Sequence, residues 1–259
     1  MKATFHVWRQ AAPGAPGSLE RYPLDGIEPS LSLLEALDLL NEALIERGER
    51  PIEFEHDCRE GICGSCSMVV DGRPHGPGDG STTCQLYMRQ FEDGADIVLE
   101  PYRVRAFPVL VDLSTDRSAF DRIIQAGGYV TVNTGNPPDG NAMPIPKDDA
   151  ERAMDAAACI GCGACAAACK NGSAMLFVGA KVEHLARVPQ GKPEADGRVL
   201  AMVDAMDAAG FGSCTNQREC EAVCPKLIPY DVIPALNRRW LKARVLGGRR
   251  SKGGGGGVG

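Results

Sequence analysis

The sequence predicts an α+β chain in two parts, a mixed α and β first half followed by a helical second half. Three observations carry that expectation. Residues 3–9 alternate in the manner of a strand, with Phe5 and Val7 on one face. The second half instead offers helix-forming runs between capping and stopping residues. Eleven cysteines fall into three groups, and a long stretch without cysteine separates the first group from the rest. That stretch holds Gly127-Gly128 and the loop-forming run Asn133 to Pro146, rich in Gly, Pro and Asn. The boundary is placed there, giving domains 1–132 and 133–246 with a glycine-rich tail at 247–259.

After the first strand, Ser32 and Glu35 form a capping box ahead of Leu33, Leu34, Leu37, Leu40 and Leu44. This helical stripe stops at Gly48. Ser67–Val70 runs into the hairpin signal Asp71-Gly72, and Ile97–Leu99 is a short apolar strand closed by Pro101. In the second half Asp148 and Glu151 read as a capping pair before Ala153–Ala158. Ser173–Ala186 and Val199–Ala209 follow, the latter stopped by Gly210. Asp231 is placed to cap a last helix whose first turn tolerates Pro234. The tail from Gly247 is expected to be disordered.

Bulk properties narrow the function. A net charge of −6 and 5% aromatics argue against nucleic-acid binding, which calls for a basic face and stacking platforms. An odd number of cysteines cannot be fully paired as disulfides. The N-terminus lacks the apolar stretch of a secretory signal, and no run of about 18 apolar residues, the length that spans a membrane, occurs. In a reducing compartment such a cysteine set is expected to hold metal.

The first group, DCREGICGSCS with a distant Cys84, has the plant-type [2Fe–2S] spacing: Cys58, Cys63, Cys66 and Cys84. Gly61 and Gly64 lie between ligands, where a backbone nest around inorganic sulfur needs positive φ. Arg59 reads either as positive charge beside the centre or as a solvated surface arginine. Tetrahedral zinc is the rival, although zinc sites usually pair two short knuckles. The second group, CIGCGACAAACK, is the bacterial ferredoxin run, with small residues Gly161, Gly163, Ala164 and Ala166 between the ligands. The third, CTNQRECEAVCP, would repeat it if Gln217 were cysteine. In such pairs the fourth cysteine of each run serves the other cluster. Cys159, Cys162, Cys165 and Cys224 are therefore expected to hold [4Fe–4S]. Cys169, Cys214 and Cys220 supply only three thiolates, which suits [3Fe–4S], with a fourth iron held by an outside ligand as the alternative. The smaller centre should have the higher reduction potential.

Three clusters with no substrate motif make an electron carrier that bridges two other components. In this order the three motifs closely resemble those of the iron–sulfur subunit of succinate dehydrogenase and fumarate reductase, over nearly the whole chain apart from the tail. The resemblance implies a β-grasp [2Fe–2S] ferredoxin-like domain followed by an α-helical two-cluster ferredoxin domain. It also implies a flavoprotein partner with FAD and a membrane anchor that meets quinone, at the cytoplasmic face of the cell membrane. Electrons would run from FAD through [2Fe–2S], [4Fe–4S] and [3Fe–4S] to quinone, or the reverse for fumarate reduction. Catalysis on the dicarboxylate would belong to the partner.

Ubiquinone-using members of that family carry a proline after the counterpart of Cys169, a tryptophan shortly beyond it, and a histidine after the counterpart of Cys214. Here Lys170, Ala174 and Thr215 stand in those places, which favours menaquinone or an anchor with further centres. Arg238, Arg239, Lys242, Arg244, Arg249, Arg250 and Lys252 read equally as lipid-headgroup contacts or as a solvated face. His6, His56, His75 and His184 occupy no ligand position and are taken as structural or surface residues. The rival functions are service to a different quinone-linked or thiol-linked flavoprotein dehydrogenase, a free-standing ferredoxin-like carrier, and a zinc module.

Overall fold

The computed structural model describes residues 1–133, 139–142 and 145–250, the side chains of 246–250 excepted. Its first elements are β1 (Ala3–Gln10), β2 (Gly17–Leu24), α1 (Leu33–Glu46), β3 (Val69–Val70), β4 (Arg73–Pro74), β5 (Ala95–Glu100), β6 (Val109–Val111) and β7 (Ser114–Thr115). Helices follow: α2 (Ser118–Gly127), α3 (Lys147–Ala157), α4 (Ala164–Ala168), α5 (Met175–Arg187), α6 (Ala195–Ala208), α7 (Glu219–Ala222) and α8 (Val232–Arg250). By compactness the chain divides into two units, neither continuous in sequence. One comprises Met1–Ser118, Ile160–Ser173 and Phe211–Leu227; the other comprises Ala119–Cys159, Ala174–Gly210 and the chain from Ile228 on.

In the first unit a mixed sheet runs in the order β2-β1-β5-β3-β4. β1 is parallel to β5, with Phe5 opposite Ile97, and antiparallel to β2. Its alternation puts Ala3, Phe5 and Val7 in the core, as the sequence pattern requires. The capping box of α1 forms: the Glu35 amide donates to Ser32 Oγ at 3.2 Å, and the Ser32 amide donates to Glu35 Oε2 at 2.7 Å. Leu33, Leu34, Leu37, Leu40 and Leu44 are buried with Phe5, Ile97 and Leu99 in one core. The Asp71-Gly72 turn joins β3 to β4, with φ of 50° and 77°. A strand running parallel beside β1, with α1 buried on the same core, is the β-grasp arrangement expected of this half.

Asp112 anchors this unit. Its carboxylate is fully buried and accepts hydrogen bonds from the amides of Gln10 and Glu53 and from both terminal nitrogens of Arg50. Buried Arg9 lies 3.5 Å away. Replacing Asp112 by alanine strands Arg9 and two amides in the interior. We expect a loss of about 3 kcal/mol, the order found when one partner of a buried pair is removed, read as a fall in unfolding midpoint.

Among the described residues, the regular elements of the second unit are all helices. Phe120 stacks on Phe177 with ring centroids 3.8 Å apart. Gly179 lets α5 approach α8, because a Cβ there would lie 3.0 Å from the Val232 side chain and from its carbonyl oxygen. Buried Glu183 takes Arg187 at 2.8 Å and also pairs with Arg239. Arg198, also buried, donates to the carbonyls of Gly127, Gly191 and Tyr129.

Some boundaries differ from the sequence reading. Pro146, not Asp148, occupies the N-cap of α3, and no side chain caps it. Asp148 and Asp149 instead lie in the first turn, where negative charge meets the positive end of the helix dipole. α5 begins at Met175, and α6 begins at Ala195, ahead of the expected Val199. The last helix continues through Gly247 and Gly248 to Arg250. Lys252 and the tail beyond Arg250 lie outside the described residues, as do 134–138 and 143–144 of the connecting run. Among the described residues no helix is long and apolar enough to cross a membrane.

Candidate iron–sulfur centres

The first cysteine group lies on a loop without regular structure between Asp57 and Ser67. Arg59, Gly61 and Gly64 take φ of 53°, 72° and 76°, and this left-handed backbone turns successive amides inward. The amides of Glu60 and Ile62 donate to Cys58 Sγ at 3.3 and 3.5 Å, and that of Ser65 to Cys63 Sγ at 3.4 Å. Those amides bring the Cys58 thiol down to about 7. Cys84 sits on a short 3₁₀ turn at Thr83–Gln85. Its thiol falls to about 5 because Cys66 donates to it, with Thr82 and Gln85 adding donors. Cys66 is held far above the ordinary thiol range by that same bond to Cys84 and by burial. Cys58, Cys63, Cys66 and Cys84 thus act on one another, and they lie among donors that favour thiolate sulfur.

Arg59 is drawn to α1: its Nη1 donates to Asp38 Oδ2 at 2.7 Å, while Gln85 Nε2 donates to the Arg59 carbonyl at 2.8 Å. It is therefore not loose surface charge, and it lies near enough to Cys84 for the two to interact electrostatically.

The second group follows α3. Gly161 and Gly163 have φ of 64° and 87°, and α4 then buries Ala164 and Ala166. A Cβ on Gly163 would meet Phe107 at 3.0 Å, so the absence of a side chain keeps this run close to its neighbours. Lys181 Nζ donates to the Cys159 carbonyl at 3.3 Å. The third group lies on a turn with Asn216 and Arg218 at positive φ, and α7 carries Cys220. The Asn216 amide donates to Cys214 Sγ at 3.4 Å.

Two bonds sew the end of the second run to the start of the third. Asn171 Nδ2 donates to the Ser213 carbonyl at 2.9 Å and to Thr215 Oγ1 at 3.0 Å. The Cys220 thiol rises to about 11 through burial, with the charges of Cys169 and Cys214 adding to the rise. Those three cysteines are thus electrostatic neighbours. Gln217 is exposed and donates to Thr215 Oγ1 at 3.1 Å. Among the described residues no three of His, Cys, Asp and Glu converge closely enough to hold a single metal ion.

Sequence reasoning missed a buried polar chain behind the first loop. The Thr83 amide donates to His75 Nδ1 at 3.3 Å, so that nitrogen carries the lone pair and Nε2–H faces Tyr102 Oη at 3.4 Å. Tyr102 in turn hydrogen-bonds Ser67, whose Oγ lies 2.9 Å from the Gly64 carbonyl oxygen and 2.7 Å from that of Cys162. Flanking positions could have pointed to Thr82 and Gln85, and Asn216 lies inside a motif. Nothing local in the sequence marks His75 or Tyr102.

His75 gives a pH prediction. Burial lowers its imidazole to about 4 from an unfolded value of 6.5. Between those values the unfolded chain binds the proton first, so stability is full above 6.5 and falls as pH drops toward 4. The loss is about 3 kcal/mol, from 1.36 kcal/mol per pH unit. Denaturant midpoints of His75→Asn, a residue tolerant of the positive φ at this site, should lack that component. An unchanged acid slope would mean that other groups carry it.

Comparison with known proteins follows the same two-part layout. The family described as a 2Fe-2S iron-sulfur cluster binding domain matches residues 4–122, and the family described as a 4Fe-4S dicluster domain matches 155–228. The succinate dehydrogenase iron-sulfur subunit of Bacillus subtilis (strain 168) is 31% identical over 220 residues, 81% of each chain. The fumarate reductase iron-sulfur subunit of Wolinella succinogenes is 28% identical over 82% of this chain and 84% of its own. Among solved structures, a chain of the Mycobacterium smegmatis Sdh1 complex in the apo form has the same fold. Its TM-score is 0.66 at 21% identity, covering 93% of this chain and 96% of that one.

Proposed function

We propose, since the chain belongs to the succinate dehydrogenase and fumarate reductase iron–sulfur subunit family, that it carries electrons between a FAD-bearing flavoprotein subunit and a quinone-reactive membrane anchor. The observation that carries this reading is the set of three cysteine groups, with backbone and side-chain donors directed at sulfurs of the first and third. The donor set fits iron–sulfur centres, which take thiolate ligands and are tuned by hydrogen bonds to sulfur.

Residues 1–132 supply the first centre and 133–246 the other two. Cys58, Cys63, Cys66 and Cys84 would hold [2Fe–2S]; Cys159, Cys162, Cys165 and Cys224 would hold [4Fe–4S]; Cys169, Cys214 and Cys220 would hold [3Fe–4S]. When bound, the centres supply the one-electron steps. The chain's own part is to keep thiolates ionised with amide donors, to exclude water from the half-buried sulfurs, and to fix the spacing between groups. It contributes no acid, base or nucleophile to dicarboxylate chemistry.

Lys170, Ala174 and Thr215 support menaquinone as the partner quinone. Ala174 is buried, and Thr215 is occupied by Asn171 and Gln217. The complex would lie at the cytoplasmic face of the cell membrane, held there by the anchor. Purification through this chain should bring down a FAD-bearing subunit and an apolar anchor. The complex should reduce a menaquinone analogue faster than a ubiquinone analogue. A clear preference for ubiquinone would sink the quinone assignment, and a chain that purifies alone with full cluster content would count against the bridging role.

A further inference from the structure

We propose that Arg117, together with Ser67, is a positioning residue that locks the loop of the first centre to the ligand run of the second and so sets electronic communication between the two. This rests on the cluster reading above. Arg117 follows β7 and lies about fifty residues from either run, outside every motif, yet its Nη1 donates to the Gly64 carbonyl at 2.6 Å and to the Cys162 carbonyl at 3.2 Å. Ser67 Oγ reaches the same two oxygens. Two carbonyls, one from each cysteine run, therefore share the same pair of donors.

Three further features make this a built contact. Gly64 and Cys162 touch so closely that a Cβ on Gly64 would lie 2.6 Å from the Ile160 carbonyl oxygen and 3.2 Å from the Cys162 backbone. The Arg117 Cδ also lies 3.7 Å from where a Cβ on Gly163 would stand, so its aliphatic part covers the second run. Glu55 Oε2 holds the other end of the guanidinium at 3.3 Å and is itself fixed by Ser114. The planar fork is what permits this: one guanidinium can span two carbonyls and a carboxylate, whereas an ammonium is a single point. Arg117 Nε is buried and without a hydrogen-bond partner among the described residues. Ser67 extends the clamp through Tyr102 and His75 to Thr83, the residue before Cys84.

The test uses the intact complex with Arg117→Ala, Arg117→Lys and Ser67→Ala. Iron content and the separate cluster signals establish first that both centres are present in the wild type; their absence there would refute the cluster reading and not the clamp. With both present and reduced, the spin of the first centre should relax fast in the wild type because the second lies at fixed close range. Arg117→Ala should lose most of that relaxation enhancement while keeping the iron, Arg117→Lys should lose nearly as much, and Ser67→Ala should lose less. Should Arg117→Ala fail to accumulate, the other two variants carry the test. Amide exchange in 58–66 and 160–165 serves as a second readout, and it should quicken in both segments together. Wild-type relaxation and unchanged exchange in the variants would overturn the proposal.

Discussion

Replacing Cys66 by alanine is expected to remove about two iron atoms per chain and to abolish the signal of the reduced first centre. Cys66 is 3% exposed and belongs to the same core as Leu37, Met68 and Val70. Its sulfur is the hydrogen-bond neighbour of Cys84, so the substitution removes one ligand and the immediate support of a second. Alanine offers no sulfur in a site that thiolate chemistry requires, and a three-ligand binuclear centre would leave one iron open to water. On the proposed assignment the other two centres would draw their ligands from Cys159 to Cys224 and should keep their iron. Chemical iron analysis beside low-temperature electron paramagnetic resonance checks this. Retention of the signal would mean that the first centre uses another ligand.

A second large effect is expected at Gly64. Valine there meets two penalties. A non-glycine residue in the left-handed region costs about 1–2 kcal/mol, and its Cβ would press on the Ile160 carbonyl oxygen at 2.6 Å, a backbone atom that cannot swing aside. The loop must then part from the second run, giving up the bonds from Ser67 and Arg117. A total loss of about 3 kcal/mol or more is expected, with unfolding midpoint as the measure. Gly94 separates the two terms: its φ is +84° but nothing lies within 4 Å of a Cβ there. Gly94→Ala should show only the conformational part. Equal losses at both positions would mean that the contact with Ile160 contributes nothing.

The parts that could be read from the sequence are those in which a local pattern carries the physics. The alternation of Phe5 and Val7, the Ser32/Glu35 box and the Asp71-Gly72 turn are short-range signals, and each became the expected element. Strand β2 escaped because it is an exposed edge, with Tyr22 its one buried residue, so no apolar alternation marks it. β6 and β7 are too short to show a period. α2 hides its Ala119, Phe120 and Ile123 face behind a capping signal left unused in the sequence reading, Asp116, whose Oδ1 accepts from the Ser118 amide at 2.8 Å. At α3 the sequence points to the wrong cap because two aspartates just inside the helix mimic one.

The same distinction runs through the centres. Cysteine spacing is local and fixes which residues face one another within a run. The shell that tunes those cysteines is not local. Thr82 and Gln85 reach Cys84 from next to it, but His75, Tyr102 and Arg117 arrive through tertiary packing, across 27 residues in one pair and 53 in another. No spacing rule could have found them. Nor could it have shown that the third run is tied to the second through Asn171, whose amide reaches Ser213 and Thr215.

The central claim is three centres of unequal size in one chain. Counting iron chemically, and recording electron paramagnetic resonance on the purified complex first oxidised and then reduced, tests it most directly. About nine iron atoms per chain are expected, with a [3Fe–4S] signal before reduction and a [2Fe–2S] signal after it. About ten iron atoms with no oxidised-state signal would contradict it, because Gln217 would then stand beside a complete four-iron cluster and the ordering of the centres toward the quinone would have no basis.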